Sequence, residues 1–264
     1  MKNDIPIVLC VAGSDSGGGA GIQADIKTLT TLKVFATTAI TCITAQNTRE
    51  ILSIKKVSPK IISDQIAAVF NDFHISAIKV GMLYDASIMR VVSESLIKFP
   101  EVPIILDPVM ISKSGNYLLK PDSIKFFIKN MIPKSYLITP NIHEALEITK
   151  MERIQSKVEI EKCFNKFLGL GASNILIKGG HLANKKTSTD YLYFDKKVHT
   201  ISGTRYLTKN THGTGCTLSA AISGNIALGM NLLKATKKAK DFVNKGIKES
   251  FNIGEGHGPL NHFS

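Results

Sequence analysis

The chain has no tryptophan, only four arginines and only four cysteines in 264 residues. The arginines (Arg49, Arg90, Arg153, Arg205) matter most, because the formal charge is +12, with 33 Lys and Arg against 21 Asp and Glu. Such a charge suggests a polyanion partner, since clustered cations release counterions from nucleic acid. Bidentate phosphate and guanine contacts are arginine chemistry, and the other 29 cations are lysines spread along the chain. Their densest group (Lys234, Lys237, Lys238, Lys240, Lys245, Lys248) has helical spacing and reads as a solvated helix face. A basic nucleic-acid binder would also need arginine clusters with interleaved aromatics, which are missing. No nucleic-acid partner is expected.

The cysteines (Cys10, Cys42, Cys163, Cys216) form no CxxC pair and have no histidine at metal spacing. This argues against a disulfide framework or a structural zinc and for a reducing compartment. No apolar run approaches the roughly 20 residues of a membrane helix. The start, MKNDIPIVLCVAG, lacks the apolar region and cleavage site of a signal peptide. A soluble cytoplasmic protein without a membrane partner is expected.

What the chain does contain is alternation. Ile5 to Val11 reads as a buried strand, followed by a Gly-rich turn and a helix with Ile22, Ile26, Leu29 and Leu32 on one face. Ala36 to Thr44 reads as strand. Ile62, Ile66, Phe70 and Phe73 form a helical stripe after the Ser58-Pro59 start signal. Strands follow at 75–80, 104–106, 136–138 and 174–178, with helices at 86–98 and 156–168. Residues 189–207 alternate apolar and polar like edge hairpin strands, and 213–251 reads as helical. Alternating β and α segments with apolar strands predict a mostly parallel sheet covered on both faces. With no long linker or repeat, one domain over residues 1–264 is expected. Ligands of such sheets bind at the carboxyl ends of the strands. Those ends fall at 12–21, 45–48, 80–83, 107–115, 139–144, 178–181 and 210–216.

Two of these segments are rich in glycine. Residues 12–21, AGSDSGGGAG, hold five glycines within the nine positions 13–21, with neither the Lys-Ser/Thr of a Walker loop nor the Rossmann spacing. Their backbone can lie close to a small ligand. Residues 210–217, NTHGTGCT, precede a helix of small and apolar residues. Free N–H groups and the dipole at that helix start make an anion site. Cys216 at its mouth is expected to have a lowered thiol pKa. Asp107 after a strand, Asn141 and Glu144 at a helix start, and Lys178 before Gly179-Gly180 add acids and a cation. Capping competes as the role of Asn141 and Glu144. Donors, a cation and acids able to hold hydrated Mg²⁺ fit phosphoryl transfer, which needs positioning and charge neutralisation.

The motifs AGSDSGGGAGIQAD, ITAQNT, KVGML, LDPVM, KSG, TPN with Glu144, KGGH, NTHGTGCT and GHGPLNHF together resemble the hydroxymethylpyrimidine/phosphomethylpyrimidine kinases of thiamine biosynthesis. The resemblance runs from Val8 to Phe263. It implies a ribokinase-like three-layer α/β/α fold and two successive ATP-dependent phosphorylations of 4-amino-5-hydroxymethyl-2-methylpyrimidine. It implies that Gln46 hydrogen-bonds the ring, with Asp25, Gly13, Met82 and Val109 lining the same pocket. Gly213, Thr214, Gly215 and Cys216 would form the anion hole, with Cys216 as base. Lys178 would neutralise phosphate charge. Asn141, Thr211, Gly213 and Gly215 would contact ATP together with Lys178, and Asp107 and Glu144 would place Mg²⁺ and its waters. A homodimer is implied as well. The rival reading within the superfamily is a pyridoxal kinase; a sensor without catalysis would not need the anion turn, Cys216, Lys178 and Glu144.

Overall fold

The computed structural model describes residues 5–112, 115–179 and 187–263. Lys113 and Ser114 of KSG, and Gly180 and His181 of KGGH, lie outside the described residues. The strands are β1 (Ile7–Asp15), β2 (Phe35–Gln46), β3 (Ile51–Lys56), β4 (Ala77–Val80), β5 (Ile104–Leu106), β6 (Leu137–Ile138), β7 (Ile175–Ile177), β8 (Thr187–Phe194) and β9 (Lys197–Thr204). The helices are α1 (Gly21–Thr31), α2 (Pro59–Asp72), α3 (Ala86–Leu96), α4 (Ile124–Asn130), α5 (Ile142–Thr149), α6 (Lys157–Gly169), α7 (Thr214–Ala227) and α8 (Leu232–Lys248).

Among the described residues the strands form one sheet in the order β3-β2-β1-β4-β5-β6-β7-β8-β9. Every pairing from β2 through β7 is parallel, while β3, β8 and β9 are attached antiparallel at the two edges. Successive side chains of a strand face opposite layers, so β1 supplies two cores. Leu9 and Val11 join Ile62, Ile66, Met89, Val92 and Phe167 of α2, α3 and α6. Val8 and Cys10 join Leu29, Ala221, Ile222 and Val243 of α1, α7 and α8. The expected three-layer α/β/α architecture is the one observed.

Local sequence accounts for most helix starts. Ser58, Asp85, Asn141, Ser156 and Asn231 accept backbone hydrogen bonds as caps of α2, α3, α5, α6 and α8. Helix α7 has no side-chain cap, because its cap residue is Gly213. Its small residues allow close burial: a Cβ on Gly224 would lie 2.9 Å from Leu29 Cδ2.

Two expectations need correction. The α1 stripe is not Ile22, Ile26, Leu29 and Leu32. Ile26 is 38% exposed, and the buried face carries Ile22, Ala24, Asp25, Thr28 and Leu29. The face turns because a buried cation stands opposite Asp25. The second concerns β3, which the periodicity does not reveal: ILSIKK is a mostly exposed edge ribbon whose one strand partner among the described residues is β2. That ribbon leaves Leu52 70% and Ile43 54% exposed.

Candidate active site

The cavity, about 450 Å³, runs along the carboxyl ends of the parallel strands and is lined by residues of all seven anticipated segments. Its centre is the contact between the two glycine-rich segments. Asp15 ends β1 and turns its carboxylate back on the loop: Oδ1 accepts from Gly17 N at 2.8 Å, and Oδ2 from Gly19 N at 3.1 Å and Ala20 N at 2.8 Å. Oδ2 also lies 2.9 Å from Nε2 of His212, the residue before the anion turn. Gly213 has φ of +77°, and a Cβ there would lie 1.7 Å from the carbonyl oxygen of Gly19. Only glycine satisfies both the left-handed backbone and that approach.

Burial alone would raise the Asp15 carboxyl. The hydrogen bond and charge of His212, with the donors from Ala20 and Gly17, outweigh it and hold Asp15 below the ordinary carboxylate range.

Gly13, Gln46, Met82 and Val109, the residues expected at the ring, all line the cavity. Gln46 Oε1 accepts from Thr44 Oγ1 at 3.2 Å, and its Nε2 is 3.2 Å from His212 Nε2. Met82 Sδ would be 3.0 Å from a Cβ on Gly13, so the thioether packs against bare backbone. Asp25 departs from expectation. It is fully buried, does not line the cavity, and pairs with Lys79 Nζ at 2.9 Å. Lys79, rather than Asp25, contributes to the wall.

Among the residues expected at phosphate, Lys178 follows β7 with Nζ 2.8 Å from Asp107 Oδ1 and 3.8 Å from Glu144 Oε2. Asp107 also accepts from Thr139 Oγ1 at 3.3 Å and Ser219 Oγ at 3.4 Å. Burial would raise Asp107, but Lys178 and Lys79 hold it below its ordinary range. Glu144 goes the other way: burial pushes it up to about 7, with Lys178 opposing and Asp107 adding to the rise. Burial would lower Lys178, yet Asp107 and Glu144 raise it, so the ammonium stays charged.

The capping role of Asn141 and Glu144 is realised. Asn141 Oδ1 accepts from Glu144 N at 2.9 Å, and Glu144 Oε2 accepts from Asn141 N at 2.7 Å. Among the described residues no three His, Cys, Asp or Glu side chains converge on a metal position. Two carboxylates already engaged by Lys178 and backbone N–H groups do not make an all-protein cage. They fit Mg²⁺ that keeps its waters and is carried on phosphate oxygens.

Cys216 requires a correction. It sits half-buried in the first turn of α7. Burial pushes its thiol up to about 11; Lys79 and a Gly21 N–H pull it down, while Asp25 and Asp107 push it further up. The expected lowering at a helix N-terminus is outweighed by desolvation and two neighbouring carboxylates, neither of them close in sequence.

Three residues of this region escaped the sequence reading. Asp15 and His212 lie inside the quoted motifs, but nothing local shows that they meet. Lys79 carried a signal, since a lysine in the apolar run Ala77–Val80 needs a buried partner. Thr211 lines the cavity as expected. Arg205, Tyr206, Val243 and Asn244 extend the wall toward α8.

The fold and the site define a small-molecule kinase of the ribokinase-like type. The phosphomethylpyrimidine kinase family model matches residues 15–261. A hydroxymethylpyrimidine/phosphomethylpyrimidine kinase of Haemophilus influenzae is 42% identical over 265 residues, covering 99% of this chain and 98% of that protein. Among solved structures, the Clostridium difficile phosphomethylpyrimidine kinase aligns with TM-score 0.79 and 39% identity, over 91% of this chain and 98% of its own. A Bacillus subtilis pyridoxal kinase, solved as an ADP complex, aligns with TM-score 0.90 and 31% identity, over 98% of both. The chain belongs to the phosphomethylpyrimidine kinase family.

The Asp15 contacts give a pH prediction. A carboxylate with a lowered folded pKa stabilises the protein above its ordinary value, and that stability is lost as pH falls through the folded value. Asp15→Asn should therefore flatten the drop in urea midpoint between about pH 4 and pH 2. Equal slopes in wild type and variant would show that the Asp15 contacts contribute nothing to acid stability.

Proposed function

We propose that this kinase transfers the γ-phosphoryl group of ATP to the 5-hydroxymethyl oxygen of 4-amino-5-hydroxymethyl-2-methylpyrimidine. It then phosphorylates the resulting monophosphate to the diphosphate used in thiamine biosynthesis. The observation that carries this reading is a single cavity with a polar amide and thioether at one end and Lys178, Asp107 and an uncapped glycine turn at the other.

Gln46 suits the ring, because its amide both donates to and accepts from an aminopyrimidine edge. Gly13, Met82 and Val109 flank the ring. The N–H groups of Gly213, Thr214, Gly215 and Cys216 stabilise charge developing on the transferring phosphoryl group. Lys178 neutralises phosphate oxygens, while Asn141 and Thr211 contact the nucleotide. Asp107 and Glu144 hold waters of an Mg²⁺ that, when bound, neutralises the phosphate oxygens of ATP.

In the first step the acceptor hydroxyl oxygen bonds to the γ-phosphorus, the bond to ADP breaks, and the hydroxyl proton goes to Cys216 in its minor thiolate form, since burial keeps most of the thiol protonated near neutral pH. The second acceptor differs. Its nucleophile is a phosphate oxygen whose second pKa is about 6, so near neutral pH it needs no base. Cys216→Ala should therefore reduce kcat for the hydroxymethyl acceptor about tenfold or more, and clearly less for the monophosphate. Assays of ADP release with each acceptor separate the two, and unchanged kcat on the first removes Cys216 as base. Gln46→Leu should raise KM for the pyrimidine far more than KM for ATP; equal losses would argue against a ring contact.

A second reading is phosphorylation of pyridoxal, favoured by the high structural similarity to the B. subtilis pyridoxal kinase. Offering hydroxymethylpyrimidine, its monophosphate and pyridoxal side by side decides between them; pyridoxal as best acceptor would overturn the main reading.

We also propose a homodimer closed by the β2–β3 ribbon, on which Ile43 and Leu52 are exposed. Leu52→Glu should then shift the mass measured by light scattering from dimer to monomer, and a monomeric wild type would refute the assembly. Four unpaired cysteines fit a cytoplasmic setting, and no helix among the described residues is long and apolar enough to cross a membrane.

A further inference from the structure

Gln46 and His212 meet with their hydrogen-bond donors in conflict. His212 Nε2 lies 2.9 Å from Asp15 Oδ2 and 3.2 Å from Gln46 Nε2. Asp15 is held ionised by its loop N–H groups and His212. A carboxylate only accepts, so the proton of the 2.9 Å bond must sit on His212 Nε2. Neutral or charged, the imidazole then faces Gln46 as a donor. The amide nitrogen is a donor too.

The two ends of an amide have the same shape, and only the protons tell them apart. Turning the Gln46 amide end for end satisfies every group. Its oxygen then accepts from His212 Nε2, which shares its proton between Gln46 and Asp15. Its NH₂ donates to Thr44 Oγ1, which lies 3.2 Å from that end. The single Thr44 hydroxyl proton goes to Ser14 O at 3.0 Å. One N–H and one oxygen lone pair of Gln46 remain for a ligand.

The surroundings hold these groups in place. Ser16 Oγ donates to Gln46 O at 2.7 Å and accepts from Gln46 N at 2.8 Å, which fixes the backbone of Gln46. A Cβ on Gly19 would collide with His212 Cδ2, so bare backbone makes the seat for the imidazole. The His212 and Asp15 side chains are 18% and 4% exposed, which shields their hydrogen bond from water.

We infer that Asp15 and His212 are positioning residues that act through Gln46: they hold its amide oxygen toward His212 and its NH₂ toward Thr44, and so set which ring edge it accepts. This rests on the reading of Gln46 as the ring contact. The ring nitrogen and 4-amino group of the hydroxymethylpyrimidine offer an acceptor and a donor that match the remaining N–H and lone pair. The 4-oxo analogue exchanges them, with N–H in place of the lone pair and oxygen in place of the amino group. To bind it the amide must turn back, donor against donor, toward His212.

The test compares kcat/KM for the amino compound with kcat/KM for its 4-oxo analogue. The wild type should favour the amino compound about a hundredfold or more. His212→Leu, its folding verified by thermal melting, should shrink that ratio about tenfold or more. A merely structural role, including damage to the neighbouring anion turn, lowers both acceptors alike and leaves the ratio unchanged. His212→Gln, which places an N–H near the position of Nε2, should restore the ratio to within about threefold of wild type.

Gln46→Leu separates this proposal from the reading beneath it. A ratio lost in Gln46→Leu but unchanged in His212→Leu overturns the positioning role alone. A ratio unchanged in Gln46→Leu overturns the ring contact and the positioning role with it. A wild type that takes both compounds equally, or a His212→Gln variant no more selective than His212→Leu, also overturns the proposal. If His212→Leu does not fold, His212→Asn, too short to reach Gln46, is held to the same outcomes.

Discussion

The approach of Gly213 to Gly19 is the constraint on which the rest of the site depends. Two loops, nearly two hundred residues apart in sequence, press backbone against backbone with no room for a Cβ. Asp15 holds the seam from one side by gathering N–H groups of its own loop and the imidazole of His212. The C-terminal segment holds it from another, with His212 N donating to Gly258 O. Because Gly213 also opens α7, the contact that joins the loops fixes where the uncapped helix start points. Gln46 and the start of α7 are thus tied into one unit through the 3.2 Å contact of Gln46 with His212.

Buried charge forms the second layer of the design. The +12 formal charge resides mostly on solvated lysines, but Lys79, Lys178 and Lys240 are drawn inside, each opposite a carboxylate. Lys240 ties α8 to Asp190 of β8, whose other oxygen accepts from Gly179 N beside Lys178. These pairs set the local field at buried positions, where charges act strongly on one another. The same field explains why Asp107 stays ionised while Glu144, a few ångströms from the same ammonium, is pushed up to about 7. It also explains the raised Cys216 thiol: the helix start favours negative charge, and the neighbouring carboxylates with desolvation outweigh it.

Much of the fold was legible because its signals are local. The β1 and β4 runs are apolar enough to demand burial on both faces, and Ser58, Asn141 and Ser156 announce helix starts through hydrogen bonds three residues long. Residues of the site at strand ends were legible for the same reason, since a parallel sheet directs its strand ends to one edge. The ribbon Ile51–Lys56 was not, because Ile51 is its one buried residue and a single buried position leaves no periodic mark. Asp25 was assigned to the ligand pocket by resemblance, while its actual partner, Lys79, lies 54 residues away.

By itself, then, the sequence determined the alternating elements, the strand ends that carry the site and the glycines that permit close approach, because each depends on neighbours along the chain. Tertiary structure decided which glycine meets which carbonyl, which oxygen of Asp15 meets His212, and which acid stands beside which lysine. Those contacts set the protonation of Asp15, Glu144 and Cys216, because burial and charge act across space. The arginine-poor, lysine-rich composition fits the same division. Composition gives the number of lysines, and the fold selects the few that enter the interior.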